Sequence, residues 1–519
     1  MTRYKKMMLS SASSIVYQVI AFACGFVLPR AILATFGSSV NGLVSSVTQF
    51  LSIISLAEMG VGAVVKSALY RPLANNDRTE ISKIVLSSER FFKKLAYLLV
   101  VYTAVLMLAY PFTVTGEYDY FFTMTLILVI SISNFAEYYF GMTSRLLLSA
   151  DQLAFVNYTV RSVTLVLNTV MCIIVMKLNA SIHIVKLTTS MLFLLQPLVI
   201  SGIAKYRYKI DRSIVLKEEP IKQKWNGLAQ HIATVVHGNI PTVALTMLST
   251  LENVSVFAVY NIVISGIKKI FTSLTDGMQS MLGNMIAKNE SKELSKTFGV
   301  FEWTMHTLGT LVFTMTAVLI VPFVSVYTRG LTDVNYIVPL FAYLLTASEG
   351  IYCIRLPYNI VVLSAGHYKQ TQTSSFIEVG INVVLTVALV FPLGLVGVAI
   401  GSLASILYRT VYLAWYLSKN ILRRSLRFFV KHILVDLLCV AAVVLTVKAF
   451  PAFFAMDATS YAMGATDYTM GAASYLDWVI LSVKVGVVSV AECILINCVL
   501  YYRMTKIGLS ALKKKFIKK

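Results

Sequence analysis

Residues 36–62 read FGSSVNGLVSSVTQFLSIISLAEMGVG, an apolar run in which Glu58 is the only charged residue. About 20 mainly apolar residues are enough for a helix to cross a bilayer. Polar residues recur in this run at three- and four-residue steps, which a helix places on one face. The stretch therefore predicts a membrane-spanning helix with a polar stripe, and the rest of the chain repeats this pattern.

The composition of the whole chain agrees with a membrane protein. Of its 519 residues, 57% are hydrophobic and 13% are charged, against roughly 25% charged residues in a typical soluble protein. The predicted fold is therefore all-α and polytopic, with about 14 transmembrane helices. These lie near residues 10–35, 39–68, 93–114, 120–148, 154–178, 182–204, 226–251, 254–285, 300–328, 335–363, 372–391, 395–418, 431–450 and 477–502.

The net charge of +21 has a topological explanation. With the N-terminus placed inside, 33 of the 45 Lys and Arg fall in cytoplasmic segments and 2, Lys177 and Arg329, fall in outer loops. This asymmetry follows the positive-inside rule, and it predicts that both termini are cytoplasmic. No nucleic-acid partner is predicted, because topology accounts for the basic excess.

The order of the predicted helices indicates a repeat. The first carries Gln18 and then Pro29, and the seventh carries Gln230, Thr234 and then Pro241. Each of the two is followed by a helix with a polar stripe. Parallel repeats around a central site are common in transporters. The predicted domains are an N-lobe of six helices (1–204), a cytoplasmic connector (205–225), a C-lobe of six helices (226–418), two further helices (419–502) with an outer loop (451–476), and a basic cytoplasmic tail (503–519).

Signatures of enzymes and of metal sites do not occur in the sequence. There is no GxxxxGK[ST] phosphate loop, no HExxH and no CxxC, and the six cysteines all fall within predicted spans. We therefore expect no catalytic residues, no metal and no bound cofactor. The outer loops are too short for a catalytic domain, which argues against a polysaccharide polymerase or glycosyltransferase.

Two polar stripes, on the second and eighth predicted helices, are expected to line a hydrated cavity together with residues of the first and seventh. Hydrogen bonding between helices is the alternative explanation. The predicted cavity-lining residues are Gln18, Asn41, Ser45, Thr48, Ser52, Gln230, Thr234, Asn261, Ser265, Thr272 and Gln279.

Charged residues also fall within the predicted spans. A charge at bilayer depth costs at least about 2.5–3.5 kcal/mol, so it usually faces protein or water. Charged residues near helix ends, such as Glu302 and Asp436, are expected to extend their side chains to the membrane–water interface. The candidates for H⁺ or Na⁺ coupling are Glu58, Asp276, Glu349 and Glu378. Each of these carboxylates could equally neutralise a neighbouring cation.

Several stretches resemble a known family. Pro29-Arg30, the run at 36–62 with its Gly37-centred outer turn and Asn41-Gly42, and LYRPLANND at 69–77 are similar to Wzx-type polysaccharide-transporter flippases. These belong to the multidrug/oligosaccharidyl-lipid/polysaccharide exporter superfamily, which includes the MATE transporters. The motifs that match the family all lie within about residues 10–80.

The resemblance implies two six-helix lobes around a central cavity that opens alternately to either side of the bacterial cytoplasmic membrane. The implied cargo is an undecaprenyl-pyrophosphate-linked oligosaccharide for cell-surface polysaccharide synthesis. Lipid II flippases of the superfamily also have fourteen helices, whereas its multidrug exporters usually have twelve. The helix count thus favours a lipid-linked sugar, and a cation-coupled multidrug exporter is the alternative. The implied partners are membrane lipids and the polymerase and glycosyltransferases of the same synthesis.

A pyrophosphate headgroup needs cationic ligands. It carries about two negative charges, and Arg can bind its oxygens in a bidentate manner. The candidate ligands are Arg30, Lys268, Lys269 and Arg355, with Arg161 and Arg409 as further candidates.

Overall fold

The computed structural model describes residues 3–53, 56–114, 118–214, 228–454 and 474–502. Most of the predicted outer loop, the second half of the predicted connector and the predicted basic tail lie outside this part of the chain. All regular secondary structure in the described residues is helical. The predicted all-α fold is confirmed.

Helices occupy most of each predicted span, although the second predicted span (39–68) is divided between one helix that ends at Ser52 and another that begins at Leu56. The first half of the chain contains α1 (Arg3–Ser52), α2 (Leu56–Asn75), α3 (Arg78–Ala109), α4 (Tyr120–Ala136), α5 (Met142–Ala150), α6 (Ala154–Lys177), α7 (Ile182–Tyr208) and α8 (Leu228–Leu248). The second half contains α9 (Leu251–Ala287), α10 (Ser291–Tyr327), α11 (Pro339–Ser364), α12 (Tyr368–Leu393), α13 (Leu395–Asn420), α14 (Arg427–Ala449), α15 (Pro451–Phe454) and α16 (Tyr475–Leu500).

Within the described residues, eleven helical segments are long and apolar enough to cross a membrane. They do not include α2, α8 and α11, whose sequences contain more polar residues. The chain is a multi-pass membrane protein. Its packing divides it into two compact units, Met1–Ser255 and Val256–Lys519.

The first unit is organised around a break in α1. Gly37 has φ 84° and ψ 177°, so the chain leaves helical geometry there and resumes it at the next residue. A positive φ of this size is readily adopted by glycine. The break separates the first predicted span from the second.

A close helix contact explains the Asn41-Gly42 pair. A Cβ on Gly42 would lie 1.8 Å from the carbonyl oxygen of Leu251, at the start of α9. Beside it, Asn41 Nδ2 donates to Ser255 Oγ at 2.8 Å. Glycine therefore allows the two backbones to approach, and the amide fixes their register.

The second unit is built on α10 to α13, with α14 and α16 packed against α10. Its apolar core includes Phe298, Phe313 and Tyr358. Two indoles join α16 to α10: Trp303 Nε1 donates to Asn497 Oδ1 at 2.9 Å, and Trp478 Nε1 donates to the Leu319 carbonyl at 3.1 Å. The two helices that follow the predicted C-lobe are thus held to the unit at both ends of α16.

Candidate functional site

The second unit contains a cluster of charged side chains within its helix bundle. Lys268 of α9 lies with its Nζ 2.7 Å from Glu349 Oε2 of α11. Glu349 follows the first residue of α11 by ten positions, about 15 Å at 1.5 Å per residue. The pair is therefore deep in the helix bundle, and neither side chain is more than 27% exposed.

Two arginines share a second carboxylate next to this pair. Arg355 Nη1 lies 2.5 Å from Glu378 Oε1, and Arg409 Nε lies 3.7 Å from Glu378 Oε2. Arg409 also donates from Nη1 to the Thr371 carbonyl at 3.0 Å. These three side chains are 11% exposed or less. Four helices, α9, α11, α12 and α13, therefore supply one charged cluster.

The aromatic ring of Tyr352 connects the two parts of the cluster. Lys268 Nζ lies 3.7 Å from the ring centroid, and the guanidinium carbon of Arg355 lies 4.7 Å from it. Such contacts stabilise a cation by roughly 0.5–2 kcal/mol. Tyr352 was not among the predicted site residues, although its three-residue spacing from both Glu349 and Arg355 makes it a neighbour of each on the helix surface.

These five ionisable side chains carry a net charge of +1. Lys268, Arg355 and Arg409 supply three positive charges, and Glu349 and Glu378 supply two negative charges. Buried ions of one sign need partners, and each carboxylate here has at least one cation in contact. Among the residues that the structure describes, one positive charge of the cluster is not balanced, so the arrangement can accept a further anion.

The other three predicted headgroup ligands lie elsewhere. Arg30 and Arg161 belong to the first unit, and both are half-buried. The Arg161 guanidinium carbon lies 5.2 Å from the ring centroid of Tyr17. Lys269 is next to Lys268 in sequence but exposed, because consecutive residues of a helix point in directions about 100° apart.

The predicted stripe on the second span makes contacts between helices. Asn41 is buried against Ser255, and Ser52 Oγ lies 3.1 Å from Asn239 Oδ1 of α8. Thr48 is exposed and donates to the Val44 carbonyl, while Ser45 is half-buried. Interhelical hydrogen bonding thus describes Asn41 and Ser52, and a cavity-lining role stays a prediction for the other two.

The remaining predicted cavity residues have varied surroundings. Gln18 and Asn261 are exposed. Ser265 and Thr272 are half-buried and donate to backbone carbonyls of their own helix. The side chains of Glu58, Gln230, Thr234, Asp276 and Gln279 lie outside the described part of the structure.

One prediction about charges near helix ends is wrong. Glu302 does not reach the membrane interface, since the whole residue is 0% exposed. Asp436 also points inward, with its Oδ2 2.5 Å from His306 Nδ1. The spacing of these residues could have predicted that they are neighbours. Glu302 and His306 are four residues apart on α10, and His432 and Asp436 are four residues apart on α14. Such spacing puts each pair on one helix face.

Comparison with solved structures identifies the fold. With the lipid II flippase MurJ in an inward closed conformation, the chain has 13% identity and a TM-score of 0.67, over 96% of this chain and 100% of that chain. With a MATE-family multidrug resistance transporter of the MOP superfamily, inward-facing, it has 15% identity and a TM-score of 0.60, over 78% of this chain and 95% of that chain.

A eukaryotic MATE transporter is also similar, with 13% identity and a TM-score of 0.56 over 80% of this chain and 95% of that chain. At these identities the similarity shows the fold alone, and the expected MATE-like fold is confirmed. No protein-family model matches the chain, and no curated protein matches it in sequence.

Proposed function

We propose that this chain is a flippase that moves undecaprenyl-pyrophosphate-linked oligosaccharides across the bacterial cytoplasmic membrane by alternating access. The observation that carries the proposal is the buried cluster of Lys268, Arg355 and Arg409 with its net positive charge. The fold supports it, because the similarity to the lipid II flippase extends over 96% of this chain.

The chemistry of the cluster suits a pyrophosphate headgroup. Phosphate oxygens accept charge-assisted hydrogen bonds from guanidinium and ammonium groups, which are about twice as strong as neutral ones. Glu349 and Glu378 hold the cations in place through ion pairs. Headgroup oxygens would compete with these carboxylates for the same donors, and the ring of Tyr352 would keep Lys268 and Arg355 oriented.

In this proposal Glu349 and Glu378 act first as counter-ions. Each lies within ion-pair distance of a cation, which agrees with neutralisation, the alternative that the sequence left open. Coupling to H⁺ or Na⁺ stays a prediction for them and for Glu58 and Asp276.

A multidrug exporter is the second candidate, since a MATE-family multidrug transporter shares the fold with a TM-score of 0.60. A cationic drug would need an acidic site with surplus negative charge. The cluster has the opposite balance, with three cations and two carboxylates. Its charge therefore favours an anionic cargo.

The test uses the purified full chain in vesicles that contain a polyprenyl-pyrophosphate-linked oligosaccharide. Movement of the sugar to the other leaflet is followed by its accessibility to membrane-impermeant periodate. Lys268→Ala and Arg355→Ala should abolish this movement, because each removes a headgroup ligand. Lys292→Ala is the matched control, since Lys292 is an exposed lysine on α10.

Three outcomes would overturn the proposal or its site. Movement at the wild-type rate in both cluster variants would exclude the cluster as the headgroup site. Loss of sugar movement in Lys269→Ala, with normal movement in the two cluster variants, would assign the headgroup site to the neighbouring exposed lysine. Export of a cationic dye from the same vesicles, without movement of the sugar, would establish the multidrug alternative.

A further inference from the structure

A second polar network lies in the second unit, separate from the cation cluster. It joins α10 and α11 to the helix pair α14 and α16, which pack side by side. Its side chains are mostly buried: Glu302 is 1% exposed, His306 2% and Asp436 13%. The network comprises Glu302, His306, Tyr358, Arg424, His432, Asp436 and Tyr501.

Glu302 is the anionic centre of this network. Arg424, which precedes α14, donates to both of its carboxylate oxygens, with Nη1 2.7 Å from Oε2. Tyr358 of α11 donates its hydroxyl to Oε1 at 2.8 Å. His432 Nε2 of α14 lies 3.6 Å from Oε2. A carboxylate that accepts from both Arg424 and Tyr358 is ionised, because a bidentate guanidinium leaves no place for a carboxyl proton.

The hydrogen-bond directions then determine the proton on His306. The Tyr358 hydroxyl has one hydrogen, which it gives to Glu302, so it can only accept from His306 Nε2 at 2.9 Å. His306 Nε2 is therefore protonated. On the other side of the ring, Nδ1 lies 2.5 Å from Asp436 Oδ2. A contact this short between a ring nitrogen and a carboxyl oxygen requires a hydrogen between them.

This hydrogen is a second, exchangeable proton. It belongs either to an imidazolium next to a carboxylate or to a neutral imidazole next to a carboxylic acid. In both forms the His306–Asp436 pair is neutral overall. Arg424 balances Glu302, and His432 is neutral when its Nε2 faces Glu302 and its Nδ1 accepts from Tyr501 at 2.8 Å. With His432 neutral and one shared proton, the network has no net charge.

We propose that His306 and Asp436 form a proton-binding site that locks the α14–α16 pair onto α10 and α11. Loss of the shared proton would leave one uncompensated negative charge in a buried site, which is strongly unfavourable. Separation of α14 from α10 would hydrate that charge. The lock is therefore closed at lower pH and opens as the pH rises. It does not depend on the proposed cargo.

Other ionisable groups lie near the site on the packed helices. On α14 these are His432 and Cys439, and on α16 they are Cys493 and Glu492. Glu492 Oε1 accepts a hydrogen bond from Thr446 of α14, so it belongs to the same interface but not to the network. Lys431 lies at the rim, where its Nζ donates to the Leu500 carbonyl at 3.0 Å.

Trp303 offers a direct measurement of this lock, because its indole is hydrogen-bonded to Asn497 of α16. The full chain is purified with the other three tryptophans replaced (W225F/W415F/W478F). Quenching of Trp303 fluorescence by acrylamide is then measured at intervals from about pH 5 to about pH 9. We expect the quenching constant to rise with pH in a single one-proton transition.

Asp436→Asn tests the assignment in the same background. The Asn amide can donate to His306 Nδ1 as the protonated carboxyl does, so the lock should stay closed and the transition should disappear. Glu492→Gln is the matched control and should keep the transition. An unchanged transition in Asp436→Asn, or no pH dependence in the parent chain, would overturn the proposal. Melting curves of all variants at low pH verify that each is folded.

Discussion

Glu378 is the residue whose neutralisation separates stability from anion binding most clearly. It lies 2.5 Å from Arg355 and 3.7 Å from Arg409, so Glu378→Gln removes one negative charge from between two buried arginines. At these distances and an effective dielectric constant near 20, Coulomb's law gives attractions of roughly 7 and 4 kcal/mol. Desolvation offsets much of this, and breaking one partner of a buried ion pair typically costs about 3–5 kcal/mol.

We therefore expect Glu378→Gln to lower the unfolding temperature by on the order of 10 °C, as such a loss does in a unit of this size. The same substitution should strengthen binding of inorganic pyrophosphate, because the charge of the cluster rises from +1 to +2. A ligand that binds the folded state stabilises it by RT ln(1 + [L]/Kd), so tighter binding at the same ligand concentration gives a larger stabilisation. The shift in unfolding temperature on adding pyrophosphate should thus be larger than in the wild type.

The assay is thermal unfolding of the purified chain in detergent, followed by tryptophan fluorescence, with and without inorganic pyrophosphate. Glu293→Gln is the control, since Glu293 is an exposed carboxylate on α10. A variant as stable as the wild type would refute the burial argument. A destabilised variant with an unchanged pyrophosphate shift would show that the cluster is structural and would refute the headgroup assignment.

Three further substitutions give distinct expected results. Lys268→Gln should be less stable than the double variant Lys268→Gln/Glu349→Gln, because the double variant leaves no charge unpaired. Equal melting temperatures of the two variants would show that the ion pair contributes nothing to stability. Flipping of lipid by the double variant would show that Lys268 is not a headgroup ligand. Gly42→Ala should lower the free energy of unfolding by about 1–3 kcal/mol, because the new methyl group clashes with a backbone carbonyl. Gly25→Ala is the control and should leave stability unchanged in the same melting experiment, because Gly25 has open space around it. Tyr352→Leu should reduce the shift in unfolding temperature on adding pyrophosphate, while Tyr352→Phe retains it, because the ring rather than the hydroxyl contacts both cations. An equal reduction of this shift in both variants would contradict a role for the ring.

Some features follow from sequence alone because they depend on local chain properties. A run of about 20 apolar residues can satisfy its backbone in lipid only as a helix, so the spans are readable without tertiary information. Helices occupy most of all fourteen predicted spans. The break at Gly37 is also local, since a positive φ is easily adopted by glycine.

The choice among the intramembrane charges needed the tertiary structure. Lys268 and Lys269 are neighbours in sequence and equally plausible as ligands, yet only Lys268 contacts Glu349 and Tyr352. The difference is set by the rotation of α9 against α11. No property of the two lysines themselves encodes that rotation.

The buried proton network shows the same division. Helical spacing was sufficient to place Glu302 beside His306 on α10, and His432 beside Asp436 on α14. It could not show that the two faces meet, or that Arg424 supplies the compensating charge from 122 residues away in sequence. The sequence by itself therefore determined the helices and their order, because these depend on transfer from water to lipid. Which charges pair was decided only by the packing of helices far apart in the chain, because ionic interactions act between neighbours in space.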